Sequence, residues 1–200
     1  MGTRQIKLLD VQQGGKQSRL RLLAPLRYLE IRHPEKFKYD VIIPVVVGIL
    51  CWAIYMVIDP RPALFGEGGL LRFARDLLVM AVPFMIGALA AVSMGAPGPN
   101  IDKRPIGAEL WLDNDALTMR QFLCFLLGYL SFLGLVTLFA VVGAGLMKDA
   151  VLAWTAKLPY LRFALHAGGA LTLSMLLSLL SVTVLWSLYF LTDVANRKGI

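Results

Sequence analysis

Few residues in this chain could carry chemistry, and four of its thirteen carboxylates sit together. Residues 94–122 read MGAPGPNIDKRPIGAELWLDNDALTMRQF. Asp102, Glu109, Asp113 and Asp115 are of the type that ligates hard cations, yet the spacing of a calcium loop, D-x-[DN]-x-[DN]-G, is met only by a single D-x-D. No metal is expected. The two cysteines, Cys51 and Cys124, lie inside apolar runs at different depths and read as small buried side chains rather than as a redox or metal pair. His166, near the start of the last apolar run and so at its outer end, is the one ionisable group in the spans and reads as structural or interfacial. H-E-x-x-H, a Walker loop, G-x-S-x-G and C-x-x-C are all absent from the sequence. No catalytic residue, no cofactor and no enzymatic activity are expected.

The same stretch is better suited to connecting and anchoring. Pro97, Pro99 and Pro105 with Gly95, Gly98 and Gly107 forbid a continuous helix. Asp113, Asn114 or Asp115 then offers an N-cap for the apolar run that follows. Ile106, Leu110, Trp111 and Leu112 add an apolar set in which Trp111 either anchors at the headgroup layer or packs on a partner.

The elements flanking the connector are apolar on a scale that only a membrane explains. Hydrophobic residues make up 58% of the 200 and charged residues 16%, with mean hydropathy +0.68, against roughly one quarter charged in soluble domains. Four spans are predicted at 41–58, 77–95, 121–147 and 163–192, each near the roughly 17–25 residues a helix needs to cross hydrocarbon. Backbone polar groups have no water there, and period-2 alternation is missing, so the spans are expected to be helices and not barrel strands. The fold class is all-α, an integral membrane four-helix bundle. Residues 1–40 form a cytoplasmic basic arm, 96–120 a cytoplasmic connector and 193–200 a cytoplasmic tail.

Orientation follows Lys and Arg near the spans. The arm carries nine of the twenty basic residues and each interspan connection three. With both termini inside, fourteen basic residues are cytoplasmic and six are not, which predicts an N-in, C-in membrane protein. Within the arm, Leu22, Leu26 and Leu29 fall within about 60° on an α-helical wheel, away from Arg27 and Arg32. A basic amphipathic α-helix lying on the inner leaflet is expected, with Arg27, Arg32, Lys36 and Lys38 making lipid or partner contact. Direct nucleic-acid binding is not expected, because no binding motif accompanies these charges.

Two stripes of small residues at four-residue spacing let membrane helices approach: Gly87, Ala91 and Gly95 in the second span, and Ala170, Ser174 and Ser178 in the fourth. Each is satisfied either within one chain or by a second copy. Ser181, Thr183 and Ser187 extend a polar edge on the fourth span, suited to bonding across helices or to wetting a narrow path.

Two functions fit. One is a non-enzymatic scaffold or sensor subunit, homo-oligomeric, recruiting a cytosolic protein. The other is a pore-forming or membrane-disrupting effector of holin type. The four spans and the cytoplasmic RLRLLAPLRYLEIRHPEKFKYD segment together resemble the membrane subunit of the Kiwa antiphage defence system. The resemblance covers the whole chain at the level of architecture. It implies a homotetramer that works with a cytosolic DNA-binding partner and responds to infection at the membrane.

Overall fold

A computed structural model describes residues 21–31, 36–60, 62–95, 111–112, 115–155 and 159–194. Five α-helices follow one another: α1 (Ile43–Val57), α2 (Leu70–Ser93), α3 (Met119–Leu146), a short α4 (Lys148–Thr155) and α5 (Pro159–Tyr189). A π-helical turn, Lys38–Ile42, leads directly into α1, and another, Phe190–Val194, ends α5. Four of these elements are long and apolar enough to cross a membrane, Lys38–Val57, Leu70–Ser93, Met119–Leu146 and Tyr160–Thr192. The protein is an all-α integral membrane protein built as a four-helix bundle.

The helices run up and down, but their spatial order is not their chain order. α1 lies against α5, α5 against α3, and α3 against α2. The central pair, α3 and α5, is therefore covered on both sides, whereas α1 and α2 are flanks. Val46, Leu50, Ile54 and Val57 on α1, and Leu77, Met80 and Phe84 on α2, stay exposed in the single chain. Such surfaces are stable only where hydrocarbon covers them.

Glycines determine how closely the flanks approach. A Cβ at Gly48 would lie 2.7 Å from Met175 Sδ and 3.2 Å from Met175 Cα, so α1 sits backbone-close on α5. At Gly134 a Cβ would lie 3.0 Å from Val82 Cγ2, which places the α2–α3 crossing there. Ser178 Oγ donates to the Pro44 carbonyl at 2.7 Å, tying the start of α1 to α5 through a second bond to that oxygen, since a carbonyl has two lone pairs.

Several boundaries differ from the sequence reading. α2 begins at Leu70, about two turns before the predicted span, because Arg72, Arg75 and Asp76 are accommodated in its exposed first turns. α3 starts at a capping box that the sequence reading overlooked. Thr118 Oγ1 accepts from the Gln121 amide at 3.3 Å, and Gln121 Oε1 accepts from the Thr118 amide at 2.9 Å. The predicted N-caps do not serve: Asp115 pairs in a two-residue β ladder, Trp111–Leu112 with Asp115–Ala116, while Asp113 and Asn114 lie outside the described residues. The ladder holds the acidic segment away from the helix start.

Two substitutions separate structural from peripheral glycines. Gly48→Leu should push α1 off α5 and lower stability by about 1–3 kcal/mol, seen as a lower thermal midpoint in detergent. Gly87→Leu, where a Cβ meets nothing within 4 Å in the single chain, should leave helix content unchanged.

Candidate interaction surface at the arm end

The described part of the arm does not form the expected α-helix. Residues Arg21–Glu30 form a 3-10 turn, and this turn packs on α3. A 3-10 helix repeats every three residues rather than every 3.6, so its inner stripe is Pro25, Tyr28 and Ile31, with Tyr28 and Ile31 fully buried. Leu26 is only partly buried against the core and Leu29 is exposed. The expected leucine face of an α-helix is thus replaced by a tyrosine-centred one, and the amphipathic surface helix is corrected to a docked turn.

Lys36 closes that turn. Its ammonium donates to the carbonyl of Tyr28 and, at 3.1 Å, to that of Ile31. It also stands 3.8 Å from Asp40 Oδ2 and 4.2 Å from the centre of the Tyr28 ring. Tyr28 in turn donates its hydroxyl to Asp40 Oδ1 at 3.0 Å. The ammonium thus donates to two carbonyls at the end of the turn, that of Tyr28 also accepting from the Ile31 amide at 3.2 Å, and pairs with the Asp40 carboxylate by charge alone. Lys36 is a buried staple, which corrects its expected role as a lipid or partner contact. Burial pushes its ammonium below the ordinary lysine range, and Asp40 partly restores it.

Around the staple runs a continuous aromatic chain. Tyr28 stacks on Tyr129 at 5.0 Å and meets Phe122 at 6.2 Å; Phe122 meets Phe190 at 4.7 Å. Phe190 meets Trp186 edge-on at 4.9 Å, and Trp186 stacks on Tyr39 at 4.2 Å. The chain joins the arm, the start of α1, α3 and α5 at one level, where each ring adds contact energy beyond its buried area. Aromatics at span ends were visible in the sequence as a class. Tyr28 was not, since only a three-residue period selects it.

The predicted site residues separate into distinct roles. Arg27 and Lys38 are exposed beside the docked turn. Arg32 and the side chain of Trp111 lie outside the described residues, although the Trp111 backbone pairs with Ala116. Ala170 and Ser178 are buried and Ser174 half-buried, in the span that packs on α1, so this stripe is used inside the chain. Gly87 and Ala91 are exposed. Gly95 does not belong with them: at φ +110° it reverses the chain after α2, and its amide donates to the Val92 carbonyl at 3.3 Å. Arg120 Nη1 donates to that same carbonyl at 3.3 Å and so helps cap α2.

Hydroxyls of the spans mostly bond within their own helix: Thr137 to Leu133, Thr183 to Leu179 and Ser187 to Val184. Cys51 is exposed on α1 and Cys124 half-buried on α3. No group of three or more potential metal ligands occurs among the described residues. At the opposite end, the Tyr55 hydroxyl lies 2.8 Å from both the Pro62 carbonyl and His166 Nε2. The carbonyl only accepts, so the tyrosine proton goes to it and Nε2 is the donor toward the phenol oxygen. His166 therefore joins α5 to the start of the α1–α2 connection, and Trp52 Nε1 donates nearby to the Ala167 carbonyl at 3.0 Å.

Lys36→Met leaves the Ile31 carbonyl without its donor and Asp40 without its cation, and should weaken arm docking by about 3–5 kcal/mol. Tyr28→Phe removes one hydrogen bond and should cost about 1–3 kcal/mol. Amide exchange of residues 28–31 in detergent micelles reads both as faster exchange. Burial, followed by the Asp40 charge, raises the Tyr28 hydroxyl above its ordinary value of 10.0. The stability it contributes is complete below about pH 10 and is lost as the pH climbs toward the raised value. That alkaline loss should be missing in Tyr28→Phe.

No family model, no curated protein and no solved structure matches this chain.

Proposed function

We propose that this protein is a non-enzymatic scaffold or sensor subunit of a bacterial inner membrane, a homo-oligomer with both termini in the cytoplasm, whose arm end meets a cytosolic protein. The observation that carries this reading is the contrast between the two small-residue stripes. Ala170 and Ser178 are consumed by packing inside the chain, while Gly87 and Ala91 remain outside on a flank helix. They continue a strip, Leu77, Met80, Phe84, Gly87 and Ala91, that repeats at alternating three- and four-residue steps on the exposed side of α2. Such a repeat is the seam pattern of paired helices, and its small end is where two backbones can approach.

Docking of the arm supports the second half of the reading. With Tyr28, Ile31 and Lys36 buried, the arm end presents Arg27 and Lys38 from a rigid base, which suits capture of an acidic protein surface. The resemblance to the membrane subunit of the Kiwa antiphage defence system would make the oligomer a tetramer and the companion a cytosolic DNA-binding protein. This chain itself would not touch nucleic acid.

Gly87→Leu with Ala91→Leu should reduce the mass of the detergent-purified complex while leaving helix content intact. An unchanged mass removes the proposed seam. Arg27→Glu with Lys38→Glu should reduce co-purification of the cytosolic companion from the native host at unchanged insertion. A chain that purifies without a companion and depolarises cells when overexpressed would instead favour the pore-forming alternative.

A further inference from the structure

The end opposite the arm holds an open groove of about 500 Å³ between the first turns of α2, the last turn of α3 and the loop at 65–67. Its wall is apolar, with Leu71, Val142 and Leu146 along it, and its rim carries Arg72, Arg75 and Lys148. The order matters. The cations occupy the ends of two spans, and the apolar wall begins at the same level and continues toward the exposed hydrocarbon-facing sides of α2 and α3. Val142 and Leu146 are exposed in the single chain, Leu146 at 82%.

The guanidinium groups are already held in place. Arg72 Nη1 donates to the Glu67 carbonyl at 2.9 Å, and Arg75 donates from Nε and Nη2 to Asp76 Oδ1 at 3.2 and 3.0 Å. Arg72 Nε also stands 3.8 Å from Asp76 Oδ2. Counting Glu67 on the rim and Asp76 behind it, three cations face two carboxylates. One positive charge is left over, and each arginine keeps donors pointing elsewhere, since a guanidinium has five N–H groups.

We infer that this groove is a seat for one anionic phospholipid, its phosphodiester among Arg72, Arg75 and Lys148 and an acyl chain along Leu71, Val142 and Leu146. A soluble anion would satisfy the rim but leave the wall facing water. A zwitterionic lipid would satisfy the wall but bring its own cation to a rim that already has an excess. An anionic phospholipid matches both. The volume admits a headgroup and the upper part of a chain, in the range of ordinary ligand pockets. Gly145 also lines the groove, and a Cβ there meets nothing within 4 Å, so the space beside it is open for the chain to occupy.

The test uses the full-length protein in nanodiscs of phosphatidylcholine mixed equally with phosphatidylglycerol, with retained lipid counted by native mass spectrometry after release into detergent. Phosphatidylglycerol should be retained over phosphatidylcholine by about tenfold or more, and added phosphatidylglycerol should raise the thermal midpoint where added inorganic phosphate does not. Gly145→Leu should fill the groove and Lys148→Gln remove a rim charge; each should bring retention back toward the bulk ratio at unchanged helix content. Arg75→Gln gives an independent reading should either variant fold poorly. Arg162→Gln, on α5 and outside the groove, should retain lipid as the parent does. Equal retention of the two lipids, stabilisation by inorganic phosphate alone, or loss of preference in Arg162→Gln as well would each overturn the assignment.

Discussion

Hydrocarbon offers these helices little reason to touch one another, because a leucine facing lipid is nearly as well solvated as a leucine facing another leucine. Contact is decided instead by where backbones can come close and where polar groups must be satisfied. In this protein those places are few: Gly48 against Met175, Gly134 against Val82, and the Ser178 hydroxyl on the Pro44 carbonyl. Each lies on a contact between a flank helix and a central one. The spatial order α1–α5–α3–α2 follows, with α3 and α5 between two flanks whose outer faces are left to lipid.

A second constraint shapes the arm end. An ammonium removed from water is costly unless its donors are met, and Lys36 meets two carbonyls, a carboxylate and a ring face at once. The 3-10 turn provides those carbonyls at its end, where that of Tyr28 accepts from the Ile31 amide as well and that of Ile31 accepts from Lys36. Turn and lysine therefore support each other: Lys36 adds a donor to the end of the turn, and Lys36 without the turn is a buried charge. The aromatic chain from Tyr129 to Tyr39 makes the assembly continuous with α3 and α5. The arm thus becomes part of the bundle and presents its remaining cations from a fixed position.

The two ends of the molecule differ in kind. One is closed by rings, a buried lysine and a capping box at the head of α3. The other joins its helices through Tyr55, His166 and Trp52 on one side and leaves an open, cation-rimmed groove between α2 and α3 on the other. α2 belongs to both stories. Its inner face packs on α3, its first turns carry the arginines of the groove, and its outer face bears the strip from Leu77 to Ala91. The three faces of this one helix thus differ in kind: packed, cationic, and apolar and exposed.

By itself the sequence determined the membrane class, the number of spans and their helical nature, since these depend only on how many consecutive residues can survive without water. It also marked the close-packing stripe of α5 and the break after α2, both of which rest on small or conformationally special residues. Only the tertiary structure decided which stripe is used internally, since Gly87 and Ala170 look alike until the neighbour of each helix is known. Only it placed Lys36 inside rather than outside, because the arm's period is three residues and not 3.6, and that period is set by docking on α3 rather than by any local preference. The helix start at Thr118 belongs to the same category: Asp113, Asn114 and Asp115 are chemically good caps, but the two-residue ladder at 111–116 puts Asp115 in the ladder and leaves Thr118 at the helix entrance. Local chemistry proposes several candidates for such roles, and long-range contact selects among them.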